Sequence, residues 1–375
     1  MLPRLESGGV ERGTIEITAA LARAGWKPLV ASTGGPMEHQ LTRAGGRHFT
    51  LPLAAKSPWS VYANIARLAR LIEAEGVDIV HARSRIPAWS GCFAARRTGA
   101  RFVTTYHGTY FGGGGLKRWY NSIMLRGERV IVTSQFIREH VLERYSLDPS
   151  RLRFIPRGVD TVEFDPKRAA PERRILLLKE WRIPDHALIV TLPARLTAWK
   201  GQEIMIDAIA RLGHSDVYCL LLGEDHQHGR VRRRLEARAS ARGLGDRVRI
   251  VGICRDMPAA YMLSDVVVSA SILPEAFGRT MIEAQAMGRP VIATDHGGVR
   301  ETVRPGETGW LVPPGDVDAL AGALRKALSL TPRERERMAQ AAIAHTRAEY
   351  DVRLMCERTL AVYRELLSPG ERARA

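Results

Sequence analysis

The sequence lacks several features that would each place it in a particular class of protein. No apolar run approaches the roughly 18 residues that a membrane-spanning helix needs. The opening "MLPRLESGGV" lacks the apolar core of a secretory signal. The 4 cysteines are scattered without a CxxC pair, which argues against a zinc site or a disulfide framework and is typical of a reducing compartment. We therefore expect a cytoplasmic protein.

Common nucleotide-binding and repeat signatures are missing as well. The sequence contains no GxxxxGK[ST] phosphate loop, and its first glycine turn, "ESGGVERG", does not match GxGxxG. There is no low-complexity segment and no short-period repeat. A length of 375 residues favours two domains as a starting expectation.

The charge balance is strongly basic. Lys and Arg number 56 against 40 Asp and Glu, a formal net charge of +16 and a pI of about 10.3. Such a balance favours anionic partners, which include nucleic acid, anionic lipid and phosphorylated small molecules. The arginines are spread along the whole chain, so charge alone does not choose among these partners. The basic stretch at 229–247 has no interleaved aromatic residues, and we interpret it as the solvated face of a helix rather than a nucleic-acid site.

Short apolar runs alternate with helical stretches, a pattern typical of a parallel sheet covered by helices. The runs lie at 27–32, 77–82, 101–106, 129–134 and 151–156, and again at 187–193, 217–223, 247–252, 265–271, 289–294 and 309–312. We predict an α/β protein with two doubly wound, Rossmann-like domains that face each other across a cleft. The predicted bounds are 1–160 and 161–350, with a polar linker at 157–174 and a C-terminal helix at 351–375 that packs back onto the first domain.

Two glutamates in "PEAFGRTMIEAQAMGRPVIATDHGGVRETV" are the first candidate site residues. Glu275 and Glu283 are separated by seven residues, and on one helix they would lie about 12 Å apart. That distance is too long for sharing one metal ion or one proton. Pro274 and Gly278 are poor residues for a helix interior, so we expect Glu275 to precede the helix that carries Glu283. The pair either grips different parts of one long ligand or consists of a helix-start carboxylate and a solvated one.

Three loops at predicted strand ends carry further candidates. In "ARLTAWKGQE", Arg195 and Lys200 either neutralise a diphosphate or form a solvated pair. His107 follows a strand and precedes a glycine-rich loop, and it is either a structural or a functional histidine. Gly8 and Gly9 precede a helix, where backbone N–H groups either approach an anion or close a tight turn without a ligand.

Two other clusters resemble metal ligands, and we expect neither to bind a metal. His226 and His228 have no convergent third ligand in the sequence. Asp316 and Asp318 stand in "GDVDAL", where Asp316 is better placed to cap the following helix.

Together and in this order, the motifs resemble the retaining glycosyltransferases of family 4, which have the two-domain GT-B fold. The resemblance covers nearly the whole chain and is strongest at about 187–315. It rests on the two glutamates in their segment and on "ARLTAWKGQE", "IPRGVD", "GETGWLVPPGD" and "GGVERG". Arg157 is a departure, because a common family form of "IPRGVD" has Asn at that position.

The resemblance implies a role for each matching residue. Glu275 would contact the donor sugar near its anomeric carbon, and Glu283 would accept hydrogen bonds from the ribose hydroxyls. Arg195 and Lys200 would bind the diphosphate. The remaining implied roles are backbone amides that hold sugar hydroxyls or the distal phosphate (Phe277, Gly278 and Arg279), a glycine turn beneath the diphosphate (Gly8 and Gly9), and a histidine that faces the sugar from the first domain (His107).

The resemblance also implies an activity. It predicts transfer of a hexose-like sugar from a nucleotide-diphosphate-sugar to a glycan or glycolipid, with retention of configuration, no cofactor and no metal ion. Relatives that open on "GGVERG" point towards lipopolysaccharide or cell-surface polysaccharide synthesis. Two alternatives stay open: a GT-B phosphorylase or epimerase that acts on sugar nucleotides, and a basic nucleic-acid-binding protein. With the transferase we expect no nucleic-acid partner.

The stretch "GLKRWYNSIMLR" at 115–126 mixes three cationic residues with two aromatic ones. It is either an interfacial helix on an anionic membrane surface or a helix that packs over the sheet. The first of these would make the protein peripheral on the inner face of the plasma membrane.

The start of the sequence is short for a first parallel strand, which normally has about 5–6 residues. Only residues 1–5 precede "ESGGVERG", and Pro3 among them cannot donate a ladder hydrogen bond. We expect either that the native translation start lies upstream of Met1 or that the given sequence lacks the beginning of a central strand.

Overall fold

The computed structural model describes residues 1–6, 8–110, 114–225 and 227–368. They form two compact units, Met1–Gly158 together with the segment from Val352 onwards, and Val159–Asp351. Both units are built from parallel strands alternating with helices, so the α/β fold is as predicted. No helix in the described part of the chain is long and apolar enough to cross a membrane.

The first unit alternates strands and helices up to Gly158. Its strands are β1 (Leu29–Ser32), β2 (Arg47–Thr50), β3 (Ile79–Ala82), β4 (Arg101–Tyr106), β5 (Arg129–Val132) and β6 (Leu152–Phe154). Its helices up to that point are α1 (Gly9–Arg23), α2 (Glu38–Arg43), α3 (Pro58–Glu75), α4 (Arg85–Thr98), α5 (Gly115–Asn121) and α6 (Gln135–Arg144). A 3₁₀ turn, Ser122–Leu125, follows α5 directly.

Residues 1–5 lie between β1 and β3 and join two groups of parallel strands. Thr33 N donates to Pro3 O at 2.9 Å, and Arg83 N donates to Met1 O at 3.0 Å. The order across this unit is therefore β2, β1, residues 1–5, β3, β4, β5 and β6. The chain starts in the middle, builds outwards to β2 and then returns to β3, so the strand order reverses beside residues 1–5.

The second unit repeats the alternation around a larger sheet. Its strands are β7 (Leu188–Pro193), β8 (Val217–Leu222), β9 (Val248–Gly252), β10 (Val266–Ser269), β11 (Val291–Thr294) and β12 (Gly309–Val312). Its helices are α7 (Pro171–Trp181), α8 (Gln202–Leu212), α9 (Arg230–Ala241), α10 (Met257–Leu263), α11 (Arg279–Ala286), α12 (Val299–Thr302), α13 (Val317–Leu328) and α14 (Pro332–Glu349).

The six strands of the second unit are all parallel, in the order β12, β11, β10, β7, β8 and β9. Successive residues of β10 enter opposite cores, with Val266 and Val268 on one face of the sheet and Val267 on the other. A strand that is buried on both faces is apolar along its whole length, which explains why the sequence reads as continuous apolar runs here. The chain builds from β7 to β9 on one side and then returns to β10 on the other.

The last helix, α15 (Val352–Leu367), belongs to the first unit. Its residues Leu360 and Tyr363 pack in one core with Ile17 and Val103. The Tyr363 hydroxyl also lies 2.6 Å from Nδ1 of His81 in β3, which anchors the helix to the sheet.

Two details differ from the sequence-based predictions. Strand β2 was not predicted, because "RHFT" is a short edge strand with no buried residue and therefore has no apolar pattern. The boundary between the two units, at Gly158 and Val159, falls within the predicted linker 157–174, but most of this segment packs with the second unit. Its apolar residues Val159 and Phe164 are fully buried in the second unit, and α7 begins within the segment at Pro171.

Candidate active site

The site in the second unit lies where the strand order reverses. Strands β7 and β10 are neighbours, although β8 and β9 separate them in the sequence. Lys200 ends a 3₁₀ turn after the carboxyl end of β7, and Glu275 lies in the loop after the carboxyl end of β10. Ligands of doubly wound sheets bind at such a switch point, beyond the carboxyl ends of the strands. The topology therefore places these two predicted residues together at the expected edge.

Glu275 is held by three donors, one from the loop after β7 and two from the end of β10 and the loop that follows it. Lys200 Nζ lies 2.8 Å from its Oε1, Ser269 Oγ donates to the same oxygen at 3.1 Å, and Ser271 Oγ donates to it as well. The side chains of Lys200 and Glu275 are both largely buried. Oε2 has no partner among the residues that the structure describes, so it remains available to a ligand hydroxyl.

The environment of Glu275 keeps it ionised. Burial by itself would raise the pKa of this carboxyl, but the Lys200 ammonium and the hydrogen bonds from Lys200, Ser271 and Ser269 outweigh it and hold the pKa below its ordinary value. The group is therefore an anion at neutral pH. An anionic hydrogen-bond acceptor in a dry site suits recognition of sugar hydroxyls.

Glu283 lies one helix away from this network and has partners of its own. It lies on α11, which begins at Arg279, whereas Glu275 precedes this helix. Arg279 Nε contacts Glu283 Oε1 at 3.0 Å, and the buried Tyr261 hydroxyl donates to Oε2 at 3.0 Å. The two glutamates therefore belong to separate networks of partners.

Two glycines set the backbone around Glu275 and Lys200. Gly278 caps α11 with φ 89°, and a Cβ there would lie 2.7 Å from Val299 Cγ2. Gly201 precedes α8 with φ 74°, and a Cβ there would lie 1.9 Å from the carbonyl oxygen of Ala270. Only glycine permits both this conformation and this close approach. The loop after β7 is thereby held against the loop after β10.

Other predicted residues of the second unit are placed less centrally. The Phe277 side chain is buried, with its ring edge-to-face to Tyr350 at 5.6 Å, so only its backbone can face a ligand. Arg195 is exposed in the loop after β7 and forms no ion pair with a carboxylate in the described residues. Its side chain is thus a cation near the switch point that pairs with no carboxylate in the part of the chain that the structure describes.

The first unit has the corresponding arrangement of a glycine turn and a helix start. Residues 1–5 end at the point of strand reversal, and α1 begins at Gly9 with Gly8 as its N-cap. Gly8 and Gly9 are both exposed, so the turn is open. The guanidinium of Arg157, the residue that departs from the family pattern, donates to Gly9 O and lies against Gly13. Arg157 therefore supports the first turn of α1.

His107 directly follows β4 in the same unit. Burial lowers the pKa of His107 well below its ordinary value, and the nearby Arg157 and Arg83 lower it further. Its Nε2 is buried and has no partner among the described residues. Depending on its tautomer, the Nε2 of a neutral imidazole can donate a hydrogen bond to a hydroxyl or accept one from it. Residues 111–113 of the glycine-rich loop lie outside the described residues.

Two groups of residues resemble metal ligands in the sequence, and the structure describes only one of them in full. Asp316 caps α13 as expected, accepting a hydrogen bond from Ala319 N at 2.8 Å. His226 lies outside the described residues, so the pair with His228 cannot be built. In the part of the chain that is described, no group of three or more His, Cys, Asp or Glu residues converges.

Comparison with known proteins identifies the family. The model for glycosyl transferases group 1 matches residues 174–345, and the model for glycosyltransferase family 4 matches residues 7–163. A crystal structure of a glycosyltransferase from Rickettsia africae ESF-5 is 36% identical, with a TM-score of 0.90 over 98% of both chains. This chain belongs to glycosyltransferase family 4. The resemblance in its motifs and the GT-B fold class are thereby confirmed.

More distant members agree with the assignment. The D-inositol 3-phosphate glycosyltransferase of Acidothermus cellulolyticus is 27% identical over 337 residues, which are 82% of this glycosyltransferase and 71% of the relative. The Anabaena protein Alr3699/HepE, solved in complex with UDP and glucose, is 23% identical with a TM-score of 0.85, over 96% of this chain and 98% of that one. The second likeness supports the fold alone.

Sequence reasoning missed several residues that shape the site of this glycosyltransferase. Ser269 and Ser271 orient Glu275, and Tyr261 orients Glu283. His296 contacts Ser271 O through Nε2 at 2.8 Å. Ser269, Ser271 and His296 were detectable, because they are polar residues at the ends of predicted strands. Tyr261 gave no such signal, since its position in a short helix is typical of a core residue.

Proposed function

We propose that this glycosyltransferase moves a sugar from a nucleotide-diphosphate-sugar to a hydroxyl of a glycan or glycolipid, with retention of configuration and without a metal ion. The observation that carries the proposal is the buried Lys200–Glu275 pair at the switch point between β7 and β10. It combines an ionised acceptor for sugar hydroxyls with a cation beside it. In this proposal Glu283 accepts hydrogen bonds from the ribose of the same ligand.

The proposed chemistry is displacement of a diphosphate from the anomeric carbon. The bond from that carbon to the diphosphate oxygen breaks, and the acceptor hydroxyl oxygen forms the new bond on the same face. The hydroxyl proton passes to an oxygen of the departing phosphate. Negative charge grows on the leaving group, and fixed cations and helix-terminal amides stabilise it. Arg195, Lys200 and the start of α11 supply these groups in the second unit.

In this proposal Glu275 is not a nucleophile. Its Oε1 is engaged by Lys200, Ser269 and Ser271, which fixes the carboxylate and leaves Oε2 towards the ligand. Such fixed acceptors orient the sugar and do not need to reorganise during the reaction. We propose that the neutral His107 forms a hydrogen bond with a sugar hydroxyl.

We also propose that the acceptor belongs to a lipopolysaccharide or another cell-surface polysaccharide, and that the protein works at the inner face of the plasma membrane. The basic composition, +16 at neutral pH, supports attraction to an anionic surface. The exposed start of α5, with Lys117, Arg118 and Trp119, supports the interfacial interpretation of 115–126, while Ile123 and Leu125 pack into the unit.

A thermal-shift panel of UDP-, GDP- and ADP-sugars tests the donor. A ligand that binds the native state raises the melting temperature by mass action, so at least one nucleotide-sugar should do so. Glu283→Gln should reduce affinity for the nucleoside diphosphate about tenfold or more, since hydrogen bonds to a charged group contribute about 1.5–3 kcal/mol. Tyr261→Phe, which removes one support of Glu283, should have a smaller effect in the same direction.

Glu307→Gln is the matched control, because Glu307 lies in an exposed turn with Arg304 as its only ion-pair partner in the described residues. It should leave affinity unchanged. If no nucleotide-sugar shifts the melting temperature, or if Glu283→Gln binds the nucleotide as well as wild type, the proposal is wrong.

A further inference from the structure

The loop that carries Glu275, residues 270–278, is held by the loop that follows β11. We call these segments the Glu275 loop and the β11 loop, the latter comprising residues 295–298. Thr294 Oγ1, at the end of β11, donates to Ser271 O at 2.8 Å. His296 Nε2 contacts the same oxygen at 2.8 Å. Because β10 and β11 are parallel neighbours, both loops lie at the carboxyl edge of the sheet, and two side chains converge there on one carbonyl.

The backbones of the two loops are also in direct contact. Gly298 N donates to Glu275 O at 2.8 Å. Gly297 has φ 68°, and a Cβ there would lie 2.5 Å from Glu275 O. Only glycine permits both this conformation and this close approach. We therefore expect the position of the Glu275 loop to depend on that of the β11 loop.

The hydrogen bond between His296 and Ser271 has a defined direction. A carbonyl oxygen only accepts, so the proton of this bond is on Nε2. Burial lowers the pKa of His296, and the hydrogen bond to Ser271 and the nearby Glu275 carboxylate offset this effect only in part. The ring is therefore neutral at neutral pH, with Nε2 as its donor.

Ser271 connects this hydrogen bond to the carboxylate of Glu275. Its carbonyl accepts from Thr294 and His296, while its hydroxyl donates to Glu275 Oε1. A serine hydroxyl is placed by a single side-chain torsion, so a fixed backbone leaves it few directions. His296 therefore acts on Glu275 through Ser271.

The side chains that support Glu283 come from other elements. Its Oε2 accepts from the hydroxyl of Tyr261 on α10, and its Oε1 contacts Arg279 on α11 itself. These two contacts are made by helices and not by the β11 loop. A change at His296 should therefore affect Glu275 more than Glu283.

We propose that His296 is a positioning residue for the donor sugar, which holds Ser271 so that the carboxylate of Glu275 is aimed at the sugar. The inference rests on the proposed function, in which Glu275 binds the sugar and Glu283 binds the ribose. It adds that different contacts support recognition of the two halves of the donor. Binding of the sugar is then weakened separately from binding of the nucleotide.

Two substitutions at His296 test this role. His296→Gln keeps an N–H donor at about the reach of Nε2, whereas His296→Leu has similar bulk and no donor. With a nucleotide-sugar identified by thermal shift, calorimetry should show that the Leu variant binds it about fivefold more weakly, a factor typical of one lost hydrogen bond. The Leu variant should bind the bare nucleoside diphosphate as wild type does, and the Gln variant should bind both ligands as wild type does.

The control is His186→Leu in the same unit. His186 is exposed in the turn before β7, at the amino edge of the sheet and opposite the site. This variant should bind both ligands as wild type does. Equal weakening of nucleotide and nucleotide-sugar in His296→Leu, or a Gln variant as weak as the Leu variant, would overturn the proposal.

A double-mutant cycle shows whether the effect passes through Ser271. Ser271→Ala removes the hydroxyl that reaches Glu275, so it should weaken binding of the nucleotide-sugar by itself. In that background His296→Leu should cause little further loss, because both changes interrupt the same chain of contacts. Losses that add fully would show that His296 acts by another route and would overturn the proposal.

Hydrogen exchange without ligand separates this inference from the proposed function. Ile272 N, in the Glu275 loop, donates to Trp199 O at 2.8 Å, so its amide reports whether the loop keeps its place. It should exchange faster in His296→Leu than in wild type and in His296→Gln. If exchange follows this pattern but wild type binds no nucleotide-sugar, the positioning of the loop stands and the proposed donor fails. Unchanged exchange in the Leu variant would overturn the positioning role even if the nucleotide-sugar binds.

Discussion

Glu275 is a buried carboxylate that its neighbours keep ionised. Its neighbours Lys200, Ser269 and Ser271 offset the cost of burying a negative charge, and they do so through one oxygen. The buried ion pair is a weak source of net stability but a costly one to break, because the remaining charge would have no partner. We therefore propose that the pair serves recognition rather than folding.

Removing Lys200 should reverse the pH dependence of the contribution that Glu275 makes to the free energy of unfolding. In wild type the pKa of Glu275 is lowered, so its contribution to stability is present above the unfolded-state pKa of about 4.3 and is lost as pH falls through the folded-state value. In Lys200→Met, burial dominates and raises the pKa. Stability should then be lost as pH rises from about 4 towards 7, reaching a deficit of about 3 kcal/mol at pH 7.

Denaturant unfolding of wild type and Lys200→Met between pH 4 and 7 measures this effect. The double variant Lys200→Met, Glu275→Gln has no charge to desolvate at either position, so its difference from wild type should vary less with pH than that of the single variant. A deficit in Lys200→Met that is the same at both ends of the range would contradict the assignment of the effect to Glu275.

At the scale of elements, the loops between strands and helices carry the site. Helix α8 begins after Lys200 and α11 begins after Glu275, and both starts are set by glycines in the left-handed region. The backbone of Gly201 touches the carbonyl of Ala270, so the two loops are packed together without side chains between them. The position of the ion pair thus depends on a backbone contact.

The two ends of α8 provide a matched test of this contact. Gly201 and Gly213 flank the same helix with φ 74° and 72°, but a Cβ at Gly213 would meet nothing within 4 Å. Gly213→Ala should cost about 1–2 kcal/mol, the ordinary penalty for a side chain in this conformation. Gly201→Ala should cost at least about 2 kcal/mol more, since the loop must also move away from Ala270.

Denaturant unfolding and nucleotide titration of both variants check the prediction. Gly201→Ala should also weaken nucleotide binding in the folded protein, because it displaces Lys200, whereas Gly213→Ala should not. Similar losses of stability in the two variants would show that the close approach to Ala270 has no energetic consequence.

At the scale of the whole molecule, each unit presents a helix start where its strand order reverses. Gly8 and Gly9 lead into α1 in the first unit, and the loop of Glu275 leads into α11 in the second. Positive ends of helices and basic side chains suit a diphosphate without help from a divalent ion. A metal ion would be needed only if these groups were insufficient.

Turnover should therefore survive chelation. With a nucleotide-sugar identified by thermal shift, activity in excess EDTA should equal activity without it. Lys200→Ala should lose far more activity than Lys117→Ala, because only Lys200 lies at the switch point, and this pair controls for the removal of a lysine charge. Loss of activity in EDTA that magnesium or manganese restores would refute metal independence.

The sequence by itself determined much of the architecture. The apolar runs predicted eleven of the strands described above, because strands buried on both faces must be apolar throughout. Gly278 and Pro274 correctly placed Glu275 ahead of α11, because both residues oppose a helix interior. Motif order then sufficed to predict the family. These features depend on residues that are close together in the sequence, so they can be predicted from the sequence alone.

Only the tertiary structure decided which residues meet. Lys200 and Glu275 are distant in sequence, and they contact each other because β7 and β10 are neighbours in the sheet. Tyr261 looked like a core residue, yet its hydroxyl supports Glu283. Contacts between distant segments depend on strand order and packing, which no local pattern of residues specifies.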